Sequence, residues 1–243
     1  MRCNWYKEVT IKSFENHESR ALFRTRSNLV SMRTDVVNQI RGMLKTFGIL
    51  IKGIAGVSFE NRIQEIIDEG TAIAPPLQIQ LDMLRMIKQK IDDLDELVLD
   101  HAYACQKCRI LMSIPGVGPM TAANFVLAVY DADRFTKSKS VGAYFGLTPR
   151  RRQSGDMDYN GRISKRGDRV IRHQLYEAAN SILTRVKKPS SLQAWGLRIA
   201  KRSGMKKARI AVARKLAVIM HQMLQTGELF CFNPATGERA LYA

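Results

Sequence analysis

The chain has 243 residues, of which 45% are hydrophobic, enough for a sizeable core and too many for a disordered polymer. Its formal charge is +17, and +15 of that falls within residues 150–220, a block that repels itself unless a polyanion neutralises it. Nucleic acid or an anionic membrane is the expected partner; no run approaches about 18 uncharged apolar residues and no signal-type sequence follows Met1, so the reading excludes a membrane span and predicts a soluble, cytoplasmic, nucleoid-associated protein.

Residues 5–11 predict a short strand from their β-branched and aromatic content, with no partner strand near it. From 17 to 47 apolar residues recur every seven, at Leu22, Leu29, Val36 and Met43 and again at Phe23, Val30, Val37 and Leu44, which predicts one long helix ended by Gly48. A short amphipathic helix is expected at 59–68. Pro75-Pro76 then opens a second long helix to about 103, with a stripe of Leu77, Leu84, Ile91 and Val98 reinforced by Leu81, Ile87 and Leu94. Each long helix spans roughly 40 Å at 1.5 Å per residue. The pair fits either a projecting, self-associating coiled-coil arm or ordinary packing within one globule, and the pattern alone leaves both open.

The four cysteines, Cys3, Cys105, Cys108 and Cys231, are too few for a disulfide framework. On one helix His101, Cys105 and Cys108 would share a face, but no second Cys/His pair completes four zinc ligands, so no metal site is expected. The second half reads as helical, with turns at 115–119, 146–162, 187–190 and 203–205 and its clearest helices at 164–186 and 206–225. In the latter Ile210, Ala213, Leu216, Ala217, Met220 and Leu224 form the apolar face, leaving Lys206, Lys207, Arg209 and Arg214 on the others. The fold class is therefore mostly α: a remnant strand at 1–16, a long-helix coiled-coil region at 17–103, and a helical domain at 104–243.

The most specific segment runs from Ile110 to Phe125 and contains Ile114-Pro115-Gly116-Val117-Gly118-Pro119. Ile110, Leu111 and Ile114 anchor a first short helix, the glycines allow a tight turn and close backbone approach, Pro119 suits the first position of a second helix, and Ala122 and Ala123 let the two helices touch. Amides converging at a helix start bind phosphate whatever base it carries. The pattern resembles the helix-hairpin-helix element of DNA-binding proteins, and makes Pro115, Gly116, Val117, Gly118 and Thr121 candidate DNA contacts; a merely structural helical hairpin is the alternative.

The segments IPGVGPMTAA, DADRF, GAYFGLTPRRRQSG, GRISKRGDRVIR and LYEAAN follow in order. Over about residues 104–225 this order is similar to the C-terminal domain of the insertion sequence 110 transposases, the Piv-type, bridge-RNA-guided recombinases, and the preceding long helices match that family's middle region. The resemblance implies a DNA recombinase in which an N-terminal RuvC-like domain holds Mg²⁺ on four acidic residues and a C-terminal serine becomes joined to DNA. That serine maps to Ser154, in Gln153-Ser154-Gly155. Arg150, Arg151, Arg152, Arg162, Lys165 and Arg166 would surround the phosphorane with charge, and Arg169 and Arg172 extend the same DNA face. Ser164, a second serine candidate, reads better as a helix N-cap.

The family's Ser-Gly-Gly is here Ser154-Gly155-Asp156, and Asp156 and Asp158 stand as metal assistants or as solvated turn residues, the second being preferred. Residues 1–12 look like the stretch after the last acidic pair of the RuvC-like domain, so the chain reads as a truncated transposase: Mg²⁺ is expected of the full-length family member and no cofactor of this chain. The expectation is thus DNA binding, a serine able to act in strand exchange only in the full-length form, a guide RNA implied by the family alone, and a homo-oligomer through the long helices. Alternatives are a non-catalytic helix-hairpin-helix module for repair or junction DNA, and a structural protein that dimerises through its heptads.

Overall fold

The computed structural model describes residues 11–240 apart from Ile54, and only the backbone of Arg152 and Asn160. Cys3 and all but the last residue of the expected strand lie outside that range; Ile11 is in coil. The chain divides into two compact units, residues 18–98 and residues 1–17 with 99–243.

The first unit draws on α1 (Phe14–Thr46), α2 (Val57–Asp68) and α3 (Ala74–Ala104). Gly48, at φ +79°, turns the chain out of α1, and Pro75 and Pro76 sit in the first turn of α3, where the missing N–H groups have no intrahelical acceptor to lose. Val36, Ile40 and Leu44 of α1 close on Phe59, Ile63 and Ile66 of α2 and on Leu77, Leu81, Leu84, Ile87 and Ile91 of α3 in one apolar cluster. Each such side chain contributes about 1.5–3 kcal/mol by leaving water. Of the two readings left open by the heptads, packing within the chain is thus what these stripes do. Ile40, absent from the seven-residue count, is fully buried, because a helix of 3.6 residues per turn drifts away from a strict repeat of seven. Polar pairs trim the edge of the core: Arg26 forks onto Asp95, and Lys88 bonds Glu60.

The second unit holds α4 (Gln106–Met112), α5 (Pro119–Val129), α6 (Lys139–Tyr144), β1 (Pro149–Ser154), β2 (Met157–Ile163), α7 (Arg169–Thr184), α8 (Ser191–Ser203), α9 (Met205–Thr226), β3 (Cys231–Asn233) and β4 (Glu238–Arg239). The strands make two separate antiparallel hairpins, β1–β2 and β3–β4. Helix α9 lies at the centre, packed against α4, α6, α7 and α8 through Ala208, Val212, Ala213, Leu216, Ala217 and Met220. Small residues make that approach possible: a Cβ on Gly196 of α8 would lie 2.5 Å from Val212 Cγ2 and 2.7 Å from Leu183 Cδ2. No described helix is long and apolar enough to cross a membrane.

Two expectations need correction. The helix expected from 164 begins at Arg169, because Asp168 rather than Ser164 caps it, accepting from Val170 N at 2.8 Å and Ile171 N at 3.4 Å. Of the turn expected at 146–162, residues 149–162 form with Ile163 a β-hairpin that pairs chiefly with itself: β1 is basic and polar, and the short Met157, Tyr159 alternation of β2 stays exposed and marks no core-facing strand.

Candidate nucleic-acid interface

Helices α4 and α5 pack side by side across the turn 113–118. Cys108, Ile110, Leu111 and Ile114 are buried beneath it, with Ala122, Ala123 and Phe125 from α5. Gly116 takes φ +89°, and a Cβ there would meet Ser181 Cβ at 3.2 Å, Ala178 O at 3.3 Å and Ile182 Cγ1 at 3.3 Å, so this glycine seats the turn on α7. Gly118 is the N-cap of α5 at φ −90°, with nothing within 4 Å of where a Cβ would stand, and Pro119 is the first helical residue. The amides of Gly116, Gly118, Met120 and Thr121 donate to no group among the described residues. Val117 departs from its expected role: its side chain is 5% exposed and its N–H donates to Ile114 O at 3.0 Å, so it anchors the turn and offers a ligand nothing.

The segment after α5 is held from several sides. Lys12 Nζ donates to Leu127 O at 2.9 Å and Asn16 Nδ2 to the same oxygen at 3.3 Å, satisfying the C-terminal carbonyls of α5. In 131–135 the side chain of Asp131 accepts from Asp133 N at 2.9 Å, while Arg134 lies over the rings of Phe135 and Tyr144 at 4.5 and 4.6 Å. His221, fully buried on α9 and not singled out from the sequence, bonds Ala132 O at 2.8 Å through Nε2 and Ser138 Oγ at 3.0 Å through Nδ1. A carbonyl only accepts, so Nε2 donates to Ala132 O.

The foot of the β1–β2 hairpin is locked by two glycines. A Cβ on Gly146 would lie 2.2 Å from Arg166 O, and one on Gly167 would lie 2.1 Å from Tyr144 O. The two backbones therefore touch, joined by Lys165 N to Gly146 O at 3.1 Å and Ser164 N to Thr148 O at 2.8 Å. Arg172 completes the clamp, its Nη1 donating to Phe145 O at 3.2 Å and Arg166 O at 3.1 Å. Arg172 was expected on the DNA face; three carbonyls, with Asp168 O, occupy it instead.

Beyond that foot the hairpin turns through Gly155 and Asp156. Positive φ falls on Gly155 alone, at +54°, the sign pattern of a type II′ turn, whose second position accepts an ordinary residue such as Asp156. Ser154 ends β1, exposed, its hydroxyl bonded to no described group. Asp158 is taken by Arg151, which forks onto it at 2.8 and 2.7 Å and holds its carboxyl below the usual range. Ser154 and the basic groove are also set apart. A depression of about 620 Å³ lined by Ala143, Thr148, Arg150, Arg151, Ser164 and Arg166 lies at the hairpin foot. Arg150 stands four residues from Ser154, roughly 13 Å at strand rise. Arg150, Arg151, Arg162, Lys165, Arg166 and Arg169 are all exposed.

A second exposed basic group, Lys201, Arg202, Lys206 and Lys207, gathers at the α8–α9 corner around Gly204. The paired spacing was visible in the sequence, but only the corner brings the two pairs together. Lys206 and Lys207 occupy the first turn of α9, where the helix dipole disfavours cations. Elsewhere, α3 breaks before Cys105, which is the N-cap of α4 in extended geometry, so His101, Cys105 and Cys108 do not share one helix. The Cys108 thiol bonds Cys105 and holds its pKa down to about 5, assisted by the amides of Cys108 and Lys107. Among the described residues no three His, Cys, Asp or Glu side chains converge on a point that could hold a metal.

These features define a class: a mostly helical protein whose strongly basic C-terminal unit carries a glycine-turned helix pair and an arginine-rich hairpin. Residues 108–195 match the model of the transposase IS116/IS110/IS902 family, so this segment carries that family's domain. It is 31% identical over 224 residues to a transposase for insertion sequence element IS1111A of Coxiella burnetii, covering 90% of this chain and 62% of that protein. It is 26% identical to a probable family 20 transposase of Pseudomonas aeruginosa, covering 93% and 68%. A pilin gene-inverting protein of Moraxella bovis is 27% identical over 126 residues, 51% of this chain and 38% of that one. The chain thus spans about three fifths of the length of the first of these relatives.

Proposed function

We propose that this chain is the DNA-holding part of a transposase, gripping the phosphate backbone with the free amides at the start of α5 and with the arginines of the β1–β2 hairpin. The observation that carries the reading is the α5 N-terminus, where Gly118 leaves open space and unpaired amides point outward from a helix dipole. Both elements rest on α7: the turn at Gly116 meets residues 178–182, and the hairpin foot meets its first turn. Ten residues of helix separate the two, roughly 15 Å. That is comparable to the ~12 Å major groove of a duplex, so one duplex can engage both.

Within this reading Ser154 is the nucleophile. Its hydroxyl oxygen would bond phosphorus, the bond from phosphorus to one sugar oxygen would break, and the serine proton must pass to a base. The described residues beside Ser154 do not fit Mg²⁺, since Asp158 is forked by Arg151 and no three His, Cys, Asp or Glu side chains among them converge. Strand exchange therefore belongs to the larger assembly, with its metal and any guide RNA. Self-association belongs to the reading too; Ile79, Met83 and Met86 stay exposed on one side of α3 after the heptad stripe is buried.

Gly118→Val is the direct test. At φ −90° with open space around it the new side chain fits the fold, but it stands where a phosphate must approach. Duplex affinity by fluorescence anisotropy is expected to fall about tenfold, the loss of one or two charge-assisted bonds. Unchanged affinity removes the amide site and leaves the helix pair a structural element.

A further inference from the structure

The side of the hairpin that carries Ser154 carries two large side chains that the proposed grip does not use. Residues opposite one another in an antiparallel pair point to the same side; Ser154 pairs with Met157, and Tyr159, two residues on, shares that side. Met157 is 71% exposed and Tyr159 65%. They cover no core, since the two strands pair chiefly with each other. Gly161, next on the same side, has no side chain to lift the ring: a Cβ there would come within 3.7 Å of Tyr159 Cε1. The ring leans along the strand over Gly161 and stays largely exposed.

An exposed aromatic and a methionine fit poorly with an apolar protein partner, which would have to bury with them the charge of Arg150, exposed on the same side of β1 as Ser154. A nucleic-acid base fits both demands, presenting a flat π face to the ring while its phosphates meet the cations. In an intact duplex that face is covered by the neighbouring bases. We propose that Tyr159, with Met157 beside it, is a stacking wedge for an unpaired base, so that the hairpin near Ser154 takes a gapped or single strand in preference to an intact duplex. The proposal rests on the nucleic-acid reading above and adds the state of the strand to it. Tyr159 lies about 7 Å along β2 from the level of Ser154, within one nucleotide's reach.

The test compares an intact duplex with a duplex of the same sequence carrying a short central gap, both fluorescently labelled, against the full chain. Tyr159→Ala is expected to weaken binding to the gapped duplex about tenfold and to the intact duplex by less than about twofold. Tyr159→Trp should keep the affinity, and its indole fluorescence should be quenched by the gapped duplex alone. The ring is exposed, so these variants should melt with the parent. If Tyr159→Ala binds both substrates like the parent, or weakens both equally, the wedge is wrong. Replacing Arg150 and Arg166 by Gln separates the two readings: a loss on both substrates with Tyr159→Ala silent keeps the nucleic-acid reading and overturns the wedge, whereas no loss from the arginines overturns both.

Discussion

At the scale of single residues, Gly146 and Gly167 show how motif residues of this family can be structural. Each takes positive φ and each faces a carbonyl oxygen at little more than 2 Å from where a Cβ would be. Gly167→Ala is expected to destabilise the unit on the order of 2–4 kcal/mol, read as a lower denaturation midpoint with the slope unchanged. Gly155→Ala, with open space around it, should cost only the strain of its positive φ, about 1 kcal/mol. Cys105 gives a pH prediction with a definite sign. Its thiol loses its proton near pH 5, so alkylation by iodoacetamide should be rapid at neutral pH and should slow only as pH drops through about 5. Cys108→Ala should move that midpoint up towards an ordinary thiol, because the largest stabilising bond to the thiolate is gone. A Cys105 that reacts only in alkali would contradict the pairing. The glycine lock was not legible in the sequence, since it joins segments about twenty residues apart; the closeness of Cys105 and Cys108 was, but not the helix break that makes Cys105 the N-cap of α4 and gives its thiol the amides of Lys107 and Cys108.

At the scale of elements, legibility followed burial. The long helices, α2 and α9 could be read within a few residues because each lays an apolar stripe on a core. The glycine turn and the start of α5 were readable because Pro119 and Gly118 satisfy a local rule. The β1–β2 hairpin was not, since its described side chains are largely exposed and its residues are chiefly basic or polar. The start of α7 was misplaced because Ser164 and Asp168 both obey the N-cap rule, and the contact of 144–148 with 164–167 decides between them. Asp168→Ala should therefore cost about 1 kcal/mol and Ser164→Ala much less in thermal melts. Equal losses would show that the cap is shared.

At the scale of the whole molecule, each of the two units accounts for one half of the sequence pattern. The first uses up its heptad stripes in its own core, so Leu81→Ala should cost about 2–5 kcal/mol of stability. Self-association, by contrast, should respond to the exposed side of α3. Met83→Lys with Met86→Lys should abolish any dimer seen by sedimentation without lowering stability, and a dimer that survives them uses another surface. The second unit holds the excess charge, exposed on the hairpin and at the α8–α9 corner. The central claim is that this surface exists to hold nucleic-acid phosphates. The most direct measurement is the salt dependence of duplex binding for the parent chain and for Arg150→Gln, Arg162→Gln and Arg166→Gln combined. Log affinity is expected to fall linearly with log salt, and the slope of the triple variant to be shallower by about three units, close to one for each phosphate that is no longer neutralised. A flat salt dependence in the parent, or a slope the three replacements leave unchanged, would contradict it.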